Sequence, residues 1–401
     1  MSREAPAPPP RRALLFIFAA VFLDLLGAGL LLPIIPYYVR QFDQDALTVG
    51  LLALSFAAAQ FLATPALGLV SDRIGRRPVL IFSVLGSGLA YLVFGMAHAL
   101  WLLFVARIAD GLTGGNISAA QAYIADVTTP HDRAKNMGLI GAAFGLGFIF
   151  GPALGGLLAR ISLEAPAFAA GGLSLVTAGF GYFVLPESLP PERRRREPIR
   201  LRELNPAKQV GAALRRPELR PFLLALFALN FALSGLQTNF PVFTLTRFGL
   251  GPEQNALIFT FLGVTAALMQ GVAIRRLVKW FRPKPLAVTG LGLMAGGLVV
   301  LAFSSALWMV YAAVATTAIG SGMATPTLTG AVSRSVSGLE QGTILGASQS
   351  FNSLTRIFGP LWAGLAFDHA GPGAPYWTSA MVVFAAMAVI ATTAGPEAVN
   401  P

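Results

Sequence analysis

The sequence predicts an all-α membrane protein with twelve transmembrane helices in two six-helix halves. Of its 401 residues, 55% are hydrophobic and only 12% are charged, whereas a soluble domain carries about 25% charged residues. Twelve stretches each contain the ~20 mostly apolar residues that a membrane-spanning helix needs. Such runs satisfy their backbone polar groups in lipid only as helices, and the alternating pattern of a membrane barrel is absent from the sequence.

The twelve apolar stretches follow one another along the chain with short polar breaks. They lie near residues 12–38, 47–70, 78–97, 100–123, 135–159, 165–186, 221–246, 254–274, 285–304, 306–332, 343–367 and 375–394. The first is expected to be a span and not a cleaved signal peptide, because it contains Asp24, Pro33 and Pro36 and runs to Tyr38. The longest polar stretch predicts three parts: residues 1–186, a basic cytoplasmic linker 187–220, and residues 221–401.

The placement of the basic residues predicts the orientation. Of the 29 Lys and Arg, 24 lie on the side of the two termini, while the other side has only Arg40, Arg160 and Arg247. The positive-inside rule therefore predicts that both termini are cytoplasmic. Topology accounts for most of the net charge of +11, so no nucleic-acid partner is expected. Anionic lipid remains an alternative role for the run at 193–196.

Several chemistries are excluded by absent residues and motifs. The chain has no Cys, which excludes disulfides and thiolate metal sites. No Lys follows a Gly, so a Walker loop is missing, as are HExxH and GxSxG. The three histidines, His98, His131 and His369, are all predicted to fall in loops. We expect no metal, no cofactor and no enzymatic activity; a non-transporting, receptor-like protein is a lesser alternative.

An internal repeat relates the two halves. Gly138, Gly147, Gly151-Pro152 and Gly156 in the fifth span recur at an offset of 208 as Gly346, Thr355, Gly359-Pro360 and Gly364 in the eleventh. Parallel six-span repeats are typical of one large transporter architecture, whose site lies near the bilayer midplane.

Four motifs give the chain a resemblance to a known family. They are the string from Gly68 to Arg77 after span 2, Arg107 to Gly111 in span 4, the glycine string of span 5, and Leu26-Gly27 followed by Pro33 and Pro36 in span 1. With them the chain resembles the major facilitator superfamily, and within it the twelve-helix drug:H⁺ antiporters, most of all the tetracycline-efflux-like proteins. The resemblance implies the major facilitator fold.

The loop motif after span 2 concentrates charge at the membrane edge. In the family this motif is a conformational latch, and the matching residues here are Gly68, Asp72, Arg73, Gly75, Arg76 and Arg77, with Asp126 of span 4 as a further partner. Gly75 permits a tight reversal before span 3. The alternative is that the charges only solvate the loop and set the topology.

The span 5 motif is a stripe of small residues. Ala143, Gly147, Gly151, Gly155 and Ala159 recur every fourth position, which lets another helix approach closely, and Pro152 permits a bend. The resemblance assigns Gly138, Gly147, Gly151, Pro152, Gly155 and Gly156 to packing where alternating access must seal, and not to substrate binding. Packing alone is the alternative.

Span 4 has a polar stripe. At ~100° per residue, Arg107, Asp110, Gly114, Ser118 and Gln121 fall within an arc of about 80° on one face. An intramembrane charge costs about 2.5 to 3.5 kcal/mol at the bilayer centre and marks a cavity or an ion path. Mutual neutralisation of Arg107 and Asp110 is the alternative.

Two further charged residues lie within spans, Asp24 in span 1 and Arg356 in span 11. A desolvated acid exchanges protons near neutral pH, and relatives use an acid at the position of Asp24 for proton coupling. A salt bridge from Asp24 to Arg107 or Arg356 is the alternative. We assign proton coupling to Asp24, Asp110 and Arg107, and substrate binding to Asp24, Gln60, Arg107, Ser118, Gln121, Asn230, Gln237 and Arg356.

These assignments predict an inner-membrane, proton-coupled antiporter that exports an amphipathic small molecule by alternating access. Its partners are the substrate, protons and the lipid bilayer, and it works as a monomer. The alternative is an uncoupled exporter of a lipid or metabolite with the same fold.

Overall fold

The computed structural model of the chain describes residues 11–42, 45–114, 116–128, 130–196, 211, 214–335 and 341–393, which form helices and turns without a β-strand. The helices are α1 (Arg11–Leu31), α2 (Ile35–Arg40), α3 (Ala46–Ile74), α4 (Arg76–Gly95), α5 (Leu100–Thr113), α6 (Asn116–Val127), α7 (Pro130–Leu158), α8 (Ala165–Val184), α9 (Arg220–Phe248), α10 (Pro252–Leu268), α11 (Ile274–Trp280), α12 (Pro283–Ala302), α13 (Leu307–Arg334), α14 (Gln341–Ala370) and α15 (Ala374–Thr392). A π-helical turn, Met269–Ala273, joins α10 to α11.

Ten candidate membrane spans are long and apolar enough to cross a bilayer within the described part of the chain. The all-helical membrane prediction is therefore confirmed. The helices at the fourth and eleventh predicted spans, α5 with α6 and α14, are not among the ten, so the count of twelve stays a prediction.

Two predicted spans are divided into shorter helices. The first does not run as one helix to residue 38, because α1 ends at Leu31 and α2 begins at Ile35. Pro33 lacks an N–H and disfavours helix in the residue before it, which explains this break. The fourth breaks after Thr113 and resumes at Asn116, and Gly114, which follows the first of these helices, has the low helix propensity of glycine.

The described chain falls into two compact units. Unit 1 comprises residues 1–35 and 55–204, and unit 2 comprises residues 36–54 and 205–401. The predicted parts, 1–186, 187–220 and 221–401, stay a prediction. The core of unit 1 includes Phe16 and Ile17 of α1, Leu80 of α4 and Tyr123 of α6. The core of unit 2 includes Leu291, Met294 and Leu298 of α12, which are fully buried.

Glycines let α7 approach α1 within unit 1. A Cβ at Gly151 would lie 2.7 Å from the Cα of Gly29, and one at Gly147 would lie 2.8 Å from the Cβ of Leu25. A Cβ at Gly155 would collide with the backbone of Leu30. Both helices therefore use backbone surface as their interface, as small-residue stripes in membrane helices do.

Unit 2 contains the corresponding helix pair. A Cβ at Gly359 of α14 would lie 2.7 Å from the carbonyl oxygen of Phe231 and 3.2 Å from the nitrogen of Gly235, both in α9. The α1–α7 and α9–α14 pairs thus use glycines at repeat-related positions in the same way, which is what the sequence repeat predicts.

The segment 36–54 packs within unit 2. Asn255 of α10 donates a hydrogen bond to the hydroxyl of Tyr37 (2.5 Å), which donates to the carbonyl of Leu250 (2.7 Å). Two carboxylates cap the start of α3: Asp45 accepts the N–H of Thr48 (2.9 Å), and Asp368 of α14 accepts that of Leu47 (2.8 Å). Both negative charges also favour the positive end of the α3 dipole.

We expect Gly151→Ala to destabilise the protein by about 1–3 kcal/mol, because the added methyl group meets backbone and overpacks the α1–α7 contact. Gly145→Ala in the same helix is the matched control, since a Cβ there meets nothing within 4 Å. Thermal unfolding of the purified protein in detergent measures both. Equal unfolding temperatures for the two variants would refute the contact.

Asp368 gives a pH-dependent prediction. Desolvation by burial and then the charge of Asp45 raise the pKa of Asp368, while the Leu47 N–H opposes this effect. A raised acid pKa means that the packed state binds the proton more tightly, so its stability falls as pH rises from the ordinary pKa through the raised one. Asp368→Asn keeps an acceptor and should remove this pH dependence.

Asp368→Ala instead removes the acceptor of the Leu47 N–H and should cost about 1 kcal/mol, as loss of a helix cap does. Unfolding temperatures measured from pH 4 to pH 7 compare the two variants. The capping role is wrong if alanine and asparagine at this position give the same stability.

Candidate functional site

Arg76 cross-links three helices at one end of unit 1. Its side chain is 11% exposed and forms ion pairs with Asp72 of α3 (2.5 Å) and Asp126 of α6 (3.1 Å). It also donates to the hydroxyl of Ser71 (2.6 Å). A guanidinium can satisfy several acceptors at once because its donors form a rigid fork. The predicted latch residues Asp72, Arg76 and Asp126 thus lie together.

The chain segment after α8 folds back onto this cluster. Gly75 has a φ of +116°, which favours glycine, and a Cβ there would lie 2.8 Å from the carboxyl carbon of Glu187. Glu187 accepts the backbone N–H groups of Arg76 (2.8 Å), Ser188 (3.0 Å) and Leu189 (3.1 Å). The Asp72 carbonyl accepts the N–H of Arg195 (2.8 Å). Gly75 therefore makes room for an acid that organises the loop.

The other residues of the loop motif are more peripheral. Arg77 donates to the backbone carbonyl of Tyr182 and lies over its ring, with 5.7 Å to the centroid. Arg73 is exposed, and a Cβ at Gly68 meets nothing within 4 Å. The structure therefore groups Arg76 with the acids and directs Arg77 to α8.

A buried ion pair occupies α5. Arg107 Nη1 donates to Asp110 Oδ2 at 3.0 Å, and the two side chains are only 13% and 5% exposed. The guanidinium also lies 4.1 Å from the centroid of the Phe56 ring. The Nε of Arg107 is buried and has no hydrogen-bond partner among the described residues. Arg107 therefore has a buried donor that its own ion pair leaves unused.

Tyr91 of α4 lies close enough to Asp24 and Asp110 of unit 1 to feel their charges. Its buried hydroxyl is within electrostatic reach of Asp110, Asp24 and Arg107. The ring packs beside Gly27 of α1, where a Cβ would lie 3.2 Å from Cε2. Asp24 lies in α1 and is half-buried. Three titratable side chains and one fixed cation therefore share one region.

The break between α5 and α6 corrects the predicted single polar stripe of span 4. Gln60 of α3 donates to the carbonyl of Gly114 (2.9 Å), so its amide holds the backbone where the helix is interrupted. Ser118 and Gln121 belong to α6, and Gln121 is exposed. The ~100° rotation per residue holds only within one continuous helix. The spacing therefore does not place Ser118 and Gln121 on the helix face that contains Arg107 and Asp110.

Unit 2 has a pair of amides in an aromatic setting. Asn230 of α9 donates to the Leu226 carbonyl (2.8 Å) and to Asn352 Oδ1 of α14 (3.1 Å). The Phe227 and Phe351 ring centroids are 4.9 Å apart, and those of Phe227 and Phe231 are 6.1 Å apart. Asn230 and Asn352 are thus each adjacent in the chain to one of these phenylalanines, Phe231 and Phe351.

The remaining predicted site residues lie in α7, α9 and α14. Gln237 is half-buried, two turns after Asn230, and Arg356 is exposed, one turn after Asn352. In α7, Pro152 and Gly156 are buried alongside Gly151 and Gly155. The surroundings of Gly138 lie outside the described residues.

Three residues of these clusters were not predicted from the sequence. Glu187 was detectable, because it is an acid at the head of an arginine-rich stretch, the same signal that marks Asp72. Asn352 is a polar residue inside an apolar span, one turn from Arg356. Tyr91 gives no signal in an apolar span, because only the tertiary fold brings it close to the acids.

No group of three or more His, Cys, Asp or Glu side chains that could hold a metal ion occurs in the described part of the chain. The titratable groups of this site are the acids and Tyr91, with arginines as fixed charges.

Comparisons with known proteins agree with this architecture. The sequence profile of the Major Facilitator Superfamily matches residues 17–354 and 248–398. Tetracycline resistance protein, class C, of Escherichia coli is 36% identical over 352 residues, covering 87% of this chain and 88% of that protein. Multidrug resistance protein 2 of Bacillus subtilis (strain 168) is 30% identical over 365 residues, 88% of each chain. The human organic anion transporter MFSD10 (TETRAN) matches with a TM-score of 0.72 and 26% identity, over 96% of this chain and 100% of that one.

We expect Glu187→Ala to destabilise unit 1 by about 1–3 kcal/mol, because three backbone N–H groups lose a charged acceptor. Glu187→Gln should cost less, since it keeps one acceptor oxygen. Glu192→Ala is the matched control, because Glu192 is exposed in the same segment. Thermal unfolding compares the three variants. An unchanged unfolding temperature in Glu187→Ala would show that these contacts of Glu187 do not stabilise the loop.

Proposed function

Since the chain belongs to the major facilitator superfamily, we propose that this multi-pass transporter is a proton-coupled antiporter that exports an amphipathic small molecule by alternating access. A member of this superfamily is a transporter and not an enzyme. The single observation that carries the proposal is the unit 1 cluster of Asp24, Tyr91, Arg107 and Asp110. Intramembrane acids are costly when ionised, and such groups mark proton paths.

The geometry of Arg107 supports a competition between proton and substrate. While Asp110 is ionised, it neutralises Arg107 at 3.0 Å. Protonation of Asp110 removes this compensation, and the buried guanidinium then needs another acceptor. Asp24 or an acceptor group of the substrate takes that role through donors such as the unpartnered Nε. Proton uptake and substrate binding are thereby linked at one cation.

The substrate class is supported by unit 2 and by the relatives. Asn230 and Asn352 offer amide groups beside Phe227, Phe231 and Phe351, and pockets for amphipathic ligands combine apolar walls with a few polar groups. Two relatives are named for tetracycline and multidrug resistance. Gln60, Ser118, Gln121, Gln237 and Arg356 are further candidate ligands.

The Asp72–Arg76–Asp126 cluster with Glu187 is the proposed conformational latch, with Gly75 shaping the loop. Its charges are partly exposed, so exchange of partners costs less than it would in the core. The α7 motif residues Gly138, Gly147, Gly151, Pro152, Gly155 and Gly156 give close helix packing beside α1.

The charge asymmetry supports an inner-membrane location with both termini cytoplasmic. We place the functional protein there as a monomer whose partners are substrate, protons and the bilayer.

Asp24→Asn tests the coupling. We expect the variant in proteoliposomes to lose transport driven by a pH gradient, because an amide cannot carry the proton, and to keep substrate counterflow without a gradient. Glu218→Gln, an acid-to-amide change at an exposed position, should behave as wild type.

Full gradient-driven transport by Asp24→Asn would remove the coupling role from Asp24. If the wild-type protein transports at an undiminished rate without any pH gradient, the uncoupled lipid or metabolite exporter becomes the better description.

A further inference from the structure

A groove lies beside the π-helical turn of unit 2. Met269–Ala273 is π-helical between α10 and α11, and such turns often occur at functional sites. Beside it lies a groove of about 540 Å³, whose apolar lining includes Leu268, Met269, Val272, Leu277 and Ile319 of α13. Thr265 also lines it, but its hydroxyl is bonded to the Phe261 carbonyl (2.8 Å). The groove therefore offers an apolar surface.

This groove belongs to a span whose surface is largely exposed. Only 28% of the most apolar 18-residue window of Pro252–Trp280 is buried, the lowest fraction among the ten candidate spans in the described chain. Leu268 and Val272 are 60% and 53% exposed. The eleven residue steps from Thr265 to Arg276 cover ~16 Å at 1.5 Å per residue, close to half of the ~30 Å hydrocarbon core. The length of the groove along the helix is therefore close to the thickness of one leaflet of the hydrocarbon core.

A cluster of cations lies at one end of the groove. Arg276 lines it, and Arg275 and Lys279 are exposed beside it. The sequence from Thr265 to Lys284 contains no acid, and no ion pair between described residues involves these three cations. Trp280 is 84% exposed at the end of α11, as aromatic side chains at the membrane interface are. An anion at the interface would complement this end.

We propose that the groove binds one anionic phospholipid, with an acyl chain along Leu268, Val272 and Ile319 and its phosphate on Arg276. The bilayer supplies this ligand at the correct depth, and the charge at the end of the groove selects the anionic headgroup. This site is separate from the charge cluster of unit 1 and does not depend on proton coupling.

Native mass spectrometry of the full-length protein tests the proposal by titration with dioleoyl phosphatidylglycerol and, separately, dioleoyl phosphatidylcholine. We expect one tightly bound phosphatidylglycerol, and weaker binding of phosphatidylcholine with the same chains. Arg276→Gln should weaken phosphatidylglycerol binding about fivefold, the effect of one cation near a membrane surface, and leave phosphatidylcholine binding unchanged. Arg282→Gln, at an exposed cation that does not line the groove, is the matched control.

Val272→Trp should fill the groove and remove the bound molecule of either lipid, while the unfolding temperature shows that the variant is folded. Equal binding of both lipids, or equal effects of Arg276→Gln and Arg282→Gln, would overturn the proposal. It would also fail if Val272→Trp retained the lipid, or if inorganic phosphate alone displaced it. Dimer formation that Val272→Trp abolishes would assign the groove to a second copy of the chain instead.

Discussion

The permanent charge of Arg107 inside a membrane-spanning bundle is the constraint on which the rest of unit 1 depends. A guanidinium stays protonated at physiological pH, so the protein must compensate the charge. Asp110 does this at 3.0 Å, and the Phe56 ring covers the guanidinium at 4.1 Å. In the proposed mechanism, the group that next compensates Arg107 is an acid that can lose a proton or an acceptor on a ligand. This exchange is how the proposal connects the ion pair to transport.

The sequence predicted the parts that depend on local spacing. Arg107 and Asp110 are three residues apart on a helix, so their pairing could be expected, and the glycines at four-residue intervals predicted a close helix contact. Tyr91 and the Glu187 contact with the loop at Gly75 could not be derived in this way, because their partners lie 16 or more positions away and meet only in the tertiary fold. The helix break at Gly114 was missed, since an apolar window does not reveal a carbonyl that accepts the Gln60 amide.

The two units share glycine-mediated helix packing but differ in their polar residues. Glycine-to-backbone contacts join α1 to α7 and α9 to α14, which preserves the repeat while the polar residues differ. Unit 1 holds acids and Arg107, whereas unit 2 holds the Asn230–Asn352 amides among phenylalanines. The proposed proton coupling therefore lies in unit 1, and the Asn230–Asn352 contact of unit 2 is uncharged. In the proposed lipid site, the cations at the end of α11 are a further use of charge.

The most direct test of the account is proton movement driven by substrate in wild-type proteoliposomes. Vesicles enclosing a pH-sensitive dye are loaded with a cationic, zwitterionic or anionic amphiphile and diluted into substrate-free buffer of the same pH. If proton and substrate exchange at Arg107, outward substrate flow acidifies the lumen, in a saturable way that a protonophore abolishes. Outward substrate flow at an unchanged lumenal pH would contradict proton antiport.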